Sequence, residues 1–203
     1  MCNAGLYKSV VGEFYPCDVT CALCDPLRSI QQFHVRSFSD SALQAHIWMY
    51  DYEDSRDFLR RAKYGGEPIH YAHHKDLLAQ AISAWCDIDS TFLATYVPTI
   101  SSHVCARGRD HAEVLSKQVA RILGIPHEGA LLATHSHAQA RAGIQHRRRN
   151  PHYVCTRSML DKTIILLDDI ATTRTSLTNA AHALKKVGAR KIIGVTYAYR
   201  YKK

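Results

Sequence analysis

An α/β fold, with a parallel sheet flanked by helices, is predicted by three features of this 203-residue sequence. The unbroken aliphatic run Ile164-Ile165-Leu166-Leu167 suits a central parallel strand covered on both faces. Behind it, Leu177, Ala180, Ala181 and Leu184 recur at i, i+3, i+4 and i+7, which predicts a helix from near Thr175 to Gly188. A second apolar run, Ile192-Ile193-Gly194-Val195, follows at a spacing that allows a right-handed crossover back into the same sheet.

Earlier segments fit the same plan. His46 to Tyr50 reads as a strand, Ser55 to Lys63 as a short helix closed by Gly65-Gly66, and His74 to Trp85 as a helix with Leu77, Leu78, Ala81, Ile82 and Trp85 inward. Phe92 to Val97 reads as the next buried strand. A loop from Pro98 to Gly108 then leads into a helix whose apolar face is Leu115, Val119, Ile122 and Leu123, ending before Gly124. At about 150 residues per domain, the length suits one α/β domain plus a small appendage. The expected division is a cysteine-rich segment over residues 1–40 and the α/β domain over residues 41–203.

Chemistry concentrates where the Ile164–Leu167 strand should end. Asp168 and Asp169 emerge there, and Thr172, Thr173, Arg174, Thr175 and Ser176 lead into the helix. Open α/β sheets bind ligands at the carboxyl ends of their strands, and a helix N-terminus offers N–H groups to an anion. A phosphate held by these hydroxyls would leave the carboxylates to accept hydrogen bonds from vicinal hydroxyls of a sugar. Acidic residues beside a phosphate also favour magnesium. The plain alternative is a strand end and a helix start, where carboxylates and threonines are common.

The net charge of +8 favours phosphate-bearing partners, nucleotides and DNA among them. The densest basic cluster, His146-Arg147-Arg148-Arg149 preceded by Arg141, has few aromatic residues to stack bases and reads either as a solvated loop or as a phosphate-contacting one. No apolar run approaches the roughly 20 residues of a membrane helix, and the N-terminus lacks a basic-then-apolar signal, so no membrane insertion and a cytoplasmic location are expected. Cys17-x-x-x-Cys21-x-x-Cys24 and the outlying Cys2 suggest metal rather than disulfides in that compartment. A four-ligand zinc site would use Cys2, Cys17, Cys21 and Cys24, or take His34 as the fourth ligand. The same spacing occurs in iron–sulfur radical enzymes, whose barrel nothing else here suggests.

The string Asp168-Asp169-Ile170-Ala171-Thr172-Thr173-Arg174-Thr175-Ser176 resembles the phosphoribosyl-pyrophosphate (PRPP) motif of type I phosphoribosyltransferases, D-D-x-x-T-T-G-x-T. Arg174 stands where that family has glycine. Glycine lets the backbone approach a phosphate and adopt left-handed angles, whereas arginine could supply charge to the phosphate or fill the cradle with its bulk.

Over nearly its whole length the chain also resembles the ComF-type phosphoribosyltransferases, associated with DNA uptake. Tyr50-Asp51-Tyr52-Glu53-Asp54-Ser55-Arg56 with Leu59 to Tyr64 is similar to the family's Y-x-Y-x-x-x-R…L-K-Y/F segment. Val97-Pro98 and Ala106 to Ala112 resemble its V-P…R-R-G-F-N-Q-A segment, with Asp110 and His111 in place of asparagine and glutamine. Gln139 and Arg147-x-x-Asn150 resemble its Q…R-x-x-N.

The resemblance implies a type I phosphoribosyltransferase-like sheet and an N-terminal zinc ribbon, here degenerate because the first C-x-x-C knuckle is incomplete. It implies that PRPP is bound with magnesium and its phosphoribosyl group passed to an unidentified acceptor. Asp168 and Asp169 would take the ribose hydroxyls, and Thr172 to Ser176 the 5'-phosphate. Ser101, Ser102, Arg107 and Arg109 would face pyrophosphate, and Gln139, Arg147 and Asn150 would belong to a cover loop. The competing expectation is a non-catalytic accessory that keeps the fold as scaffold or PRPP sensor and contacts single-stranded DNA or a DNA-uptake helicase.

Overall fold

The protein is described by a computed structural model over residues 7–8, 14–15, 33–53, 55, 69–99, 110–134 and 152–200. Its main sheet has five strands: β3 (His34–Ser37), β4 (Ala45–Asp51), β5 (Phe92–Tyr96), β8 (Thr163–Ala171) and β9 (Lys191–Tyr199). They lie in the order β3-β4-β9-β8-β5. The β4–β9, β9–β8 and β8–β5 pairs are parallel, while β3 pairs with β4 antiparallel. The sheet is therefore mixed, a correction to the all-parallel expectation. β3 also lies on the amino-terminal side of the expected division at residue 40, as an edge strand of this sheet.

Among the described residues, two short antiparallel ribbons complete the strands. One joins β1 (Tyr7–Lys8) to β2 (Phe14–Tyr15), the other β6 (Leu131–Thr134) to β7 (His152–Cys155).

Both faces of the sheet are covered, as the aliphatic run requires. Ile165, Leu167, Ile193 and Val195 pack with Leu78 and Ile82 of α1 (Ile69–Trp85) and Leu115 and Val119 of α2 (His111–Leu123). Their neighbours Ile164, Leu166 and Ile192 point the other way, against Leu177, Ala181 and Leu184 of α3 (Thr175–Lys186) and against Leu131 and Tyr153 of the β6–β7 ribbon. Alternation along a strand thus feeds two cores, and each fully buried Ile or Leu contributes roughly 1.5–3 kcal/mol.

Gly194 sets the distance between α3 and the sheet. A Cβ there would lie 3.1 Å from a Leu43 methyl and 3.5 Å from Leu177, so its absence lets the first turn of α3 settle onto β9. That turn carries the candidate phosphate loop.

The helices follow the expected patterns with two departures. α1 begins at Ile69, five residues before the expected His74. In α2, Leu115 and Val119 are buried, but Ile122 is 45% exposed. At 100° per residue the stripe through Ala112, Leu115, Ser116, Val119 and Leu123 leaves Ile122 about a quarter-turn from its centre. Gly124 ends the helix in the left-handed conformation, as expected of a C-terminal glycine. Of the expected Ser55 to Lys63 helix, only Ser55 lies within the described residues.

Asp110, a departure from the resembled motif, is the N-cap of α2. One carboxylate oxygen accepts from the Ala112 N–H at 3.1 Å and the other from the Thr99 N–H at 2.8 Å. The side chain therefore ties Thr99, just beyond the Val97-Pro98 that follow β5, to the helix after the loop. Asp110→Ala should cost about 1–2 kcal/mol of stability, read as a lower urea midpoint with an unchanged slope.

Candidate functional site

β8 runs further than the aliphatic residues alone suggest. It extends through both carboxylates to Ala171, pairing Asp168 with Thr196, Ile170 with Ala198 and Ala171 with Tyr199. Asp168 and Asp169 are therefore consecutive strand residues, and strand alternation turns them to opposite faces. Each is steadied by a neighbouring amide. Asp168 Oδ1 accepts from the Asp169 N–H at 2.8 Å, and Asp169 Oδ1 from the Ile170 N–H at 2.7 Å.

After Ala171 the chain turns through Thr172, Thr173 and Arg174 into α3. A polar depression with a cavity volume of ≈ 40 Å³ opens there, lined by Asp168, Thr172 to Ser176 and the apolar Ile170, Ala171 and Leu177. At roughly 15 Å³ per water-sized probe this space suits a group the size of a phosphate. The Thr173 and Thr175 hydroxyls are hydrogen-bonded at 2.8 Å on its rim. Arg174 occupies the N-cap position of α3 without a side-chain capping hydrogen bond. The first N–H groups of the helix thus rely on something other than that side chain, and an anion is the partner such a terminus attracts.

Arg174 reaches the conformation for which the resembled motif uses glycine. Its φ is 60°, and Asp161 is the other non-glycine residue with positive φ among the described residues. An L-residue gives up about 1–2 kcal/mol there. The guanidinium offsets that cost against two ring faces, 4.7 Å from the Phe38 centroid and 5.1 Å from that of Tyr199. Each such contact contributes about 0.5–2 kcal/mol, depending on desolvation. Arg174 Nη1 is buried without a hydrogen-bond partner, so ring faces rather than acceptors hold that end of the side chain. The depression remains open with Arg174 in place.

The rings belong to an aromatic wall. Trp48 meets Tyr199 edge-on at 5.1 Å, and His34, the alternative zinc ligand, stacks on Trp48 at 5.2 Å. His46 lies edge-on to Tyr199 at 5.2 Å and shares a 2.9 Å hydrogen bond with the Thr196 hydroxyl. Burial, aided by the Arg174 charge, pushes the His46 pKa down from 6.5 to about 3.

His46 is therefore neutral in the folded protein while the unfolded chain protonates it below pH 6.5. The unfolded state binds more protons in that window, so stability is full above about pH 6.5 and falls as the pH drops towards 3. Between about pH 6.5 and pH 5 the loss attributable to His46 should be about 1–2 kcal/mol. His46→Gln should flatten this slope in urea titrations at the two pH values.

Tyr153 was missed by sequence reasoning. From β7 its hydroxyl shares a hydrogen bond with Ser176, and burial followed by the Asp168 and Asp110 charges holds its pKa well above the ordinary range. It is a neutral phenol at the cradle's edge. The only available signal was the short alternation around Tyr153 after the basic cluster.

Ser101, Ser102, Arg107, Arg109, Gln139, Arg147 and Asn150 lie outside the described residues, as do the basic cluster and Cys2, Cys17, Cys21 and Cys24. Among the described residues no group of three or more His, Cys, Asp or Glu side chains could hold a metal ion, and zinc finds no support there. The carboxylates of Asp168 and Asp169 are the hard oxygen donors magnesium takes when it shares a ligand's phosphates, so their chemistry fits that ion. No helix among the described residues is long and apolar enough to cross a membrane.

Residues 109–203, which include α2, β6 to β9, α3 and the whole cradle, match the family of the phosphoribosyl transferase domain. The match covers 95 of the 203 residues and does not reach the segments before residue 109. No curated protein matches the chain. Among solved structures, the chain is similar to a purine phosphoribosyltransferase from Pyrococcus horikoshii at 16% identity and a TM-score of 0.42, covering 66% of this chain and 84% of that one. It is also similar to a hypothetical protein from Neisseria gonorrhoeae with bound ppGpp, at 10% identity and a TM-score of 0.44, covering 66% and 70%. A third likeness is to adenine phosphoribosyl transferase from Trypanosoma brucei in complex with AMP, pyrophosphate and ribose-5-phosphate, at 10% identity and a TM-score of 0.39, covering 94% and 73%. These are distant likenesses, and no residue role rests on them.

Proposed function

We propose that this protein is a phosphoribosyltransferase that binds PRPP and transfers its phosphoribosyl group to an acceptor, with release of pyrophosphate, a reading supported by the family match over residues 109–203. The observation that carries the reading is the open polar cradle at the start of α3 with Asp168 in its wall. Thr172, Thr173, Thr175 and Ser176 donate hydroxyls to the 5'-phosphate, and the backbone of residues 174–176 adds N–H groups. Asp168 from the cradle wall and Asp169 from the other face of the same strand end would accept from the ribose hydroxyls and hold magnesium, which when bound would neutralise charge on the departing pyrophosphate. Ser101, Ser102, Arg107 and Arg109 serve the pyrophosphate, with Gln139, Arg147 and Asn150 in a cover loop. The protein's part is orientation and charge stabilisation around the anomeric carbon, with no covalent protein nucleophile.

The finer assignment, to the ComF-type group within the family, is supported by the order of the Tyr50-to-Arg56, Ala106-to-Ala112 and Arg147-to-Asn150 segments. Calorimetric titration with PRPP, with and without magnesium and with ribose 5-phosphate as control, tests the function. Magnesium-dependent uptake that prefers PRPP is expected, and no uptake of either ligand would overturn the reading.

A further inference from the structure

We propose that Phe38 and Tyr199 are positioning residues for the phosphate cradle: by taking the Arg174 guanidinium against their rings, they hold residue 174 left-handed and so aim the first N–H groups of α3. The inference deepens the reading of the cradle as a phosphate site and rests on it.

Thr173 brackets residue 174, its hydroxyl accepting from the Thr175 N–H at 3.4 Å and sharing a 2.8 Å hydrogen bond with the Thr175 hydroxyl, but the Arg174 side chain has no such local anchor. Its side chain makes no capping hydrogen bond, and its Nη1 is buried without a partner. The two rings come from distant segments, Phe38 from the β3–β4 connection and Tyr199 from the end of β9. Tyr199 is itself immobilised. It is buried, paired across the sheet with Ala171, and wedged by Trp48 at 5.1 Å and His46 at 5.2 Å. Phe38 is fixed by its backbone N–H, which donates to the Gln44 carbonyl at 2.8 Å.

The hydrogen bonds that follow depend on residue 174. Its carbonyl accepts the first helical bond, from the Thr178 N–H at 2.9 Å, so its dihedrals set where α3 begins. A glycine at this position would populate the same angles without rings to lean on. The cradle's shape is thus tied through Arg174 to an aromatic wall built from β9, β4 and the β3–β4 connection.

This arrangement has a signature that a merely structural phenylalanine lacks: the effect of removing the ring must vanish once Arg174 is removed. The test uses the full-length chain in four forms, wild type, Phe38→Leu, Arg174→Gly and the double variant, with Phe38→Tyr as the form that keeps the ring. Amide hydrogen exchange over residues 172–178 is measured without ligand. Phe38→Leu should accelerate it about fivefold in the wild-type background but by less than about twofold beside Arg174→Gly, and Phe38→Tyr should leave it near wild type. Calorimetry with ribose 5-phosphate should show the same coupling, a loss of about fivefold from Phe38→Leu that shrinks to less than about twofold beside Arg174→Gly.

Equal effects of Phe38→Leu in the two backgrounds, or no effect in the wild type, would overturn the proposal. If the wild type takes up no ribose 5-phosphate at millimolar concentration, the phosphate reading itself fails. The exchange cycle still judges the clamp in that case, coupled rates supporting it and uncoupled rates overturning it.

Discussion

Asparagine in place of Asp168 should weaken the binding of PRPP with magnesium by about tenfold to a hundredfold and leave the fold intact. A hydrogen bond to a charged group contributes roughly 1.5–3 kcal/mol, and every 1.4 kcal/mol is a factor of about ten. The amide retains an oxygen that can accept from the Asp169 N–H, so that backbone contact persists. What disappears is the charge proposed to face the ribose and the metal. Asp169→Asn should behave alike, since its amide oxygen can still accept from the Ile170 N–H. Calorimetry alongside a thermal melt separates the two effects. Unchanged affinity in both variants would remove the carboxylates from the ribose role.

The largest effect on stability should come from Leu177→Ala. Leu177 is 0% exposed, packs over Gly194, and belongs to both the core beneath α3 and the lining of the cradle. Truncating a buried leucine costs about 2–5 kcal/mol, with the higher values where the surroundings cannot collapse. Collapse is restricted here because α3 is pinned at one end by the loop and at the other by Met159, whose N–H donates to the Val187 carbonyl at 2.9 Å. A lowered urea midpoint measures the loss. A cost below about 1 kcal/mol would mean that the first turn of α3 can follow the cavity inward.

The parts of the fold legible in the sequence are those where one strong pattern acts alone. Ile164 to Leu167 and the Leu177, Ala180, Ala181, Leu184 stripe gave a buried strand and a one-faced helix without help from distant residues. The extension of β8 through Asp168 and Asp169 was not legible, because aspartate disfavours strands and only pairing with β9 holds it there. The antiparallel edge strand β3 is four residues long with polar ends, too short to announce itself. Ile122 misled because an apolar residue at the margin of a stripe looks like one at its centre.

In the site, the hydroxyl-rich turn and the carboxylates were visible as a group. The partners that shape the turn were not, since nothing in the sequence ties Phe38, Tyr153 or Tyr199 to it until the chain is folded. Arg174 stood out as an exception at the glycine position. Its left-handed backbone and the rings that hold it follow only from contacts far apart in the sequence.

β9 follows every other described strand in the chain, yet it lies in the middle of the sheet. Strands β3 and β4 on one side and β5 and β8 on the other have no pairing with each other; Ala45 meets Ile193, and Ile193 meets Ile165. During synthesis, a nascent chain that has emerged only as far as Arg190 therefore carries two half-sheets with open, aliphatic inner edges and nothing to join them. Pairing over such long separations is slow, and open edges invite other chains. The interval before β9 emerges is the period in which this protein most needs protection from aggregation.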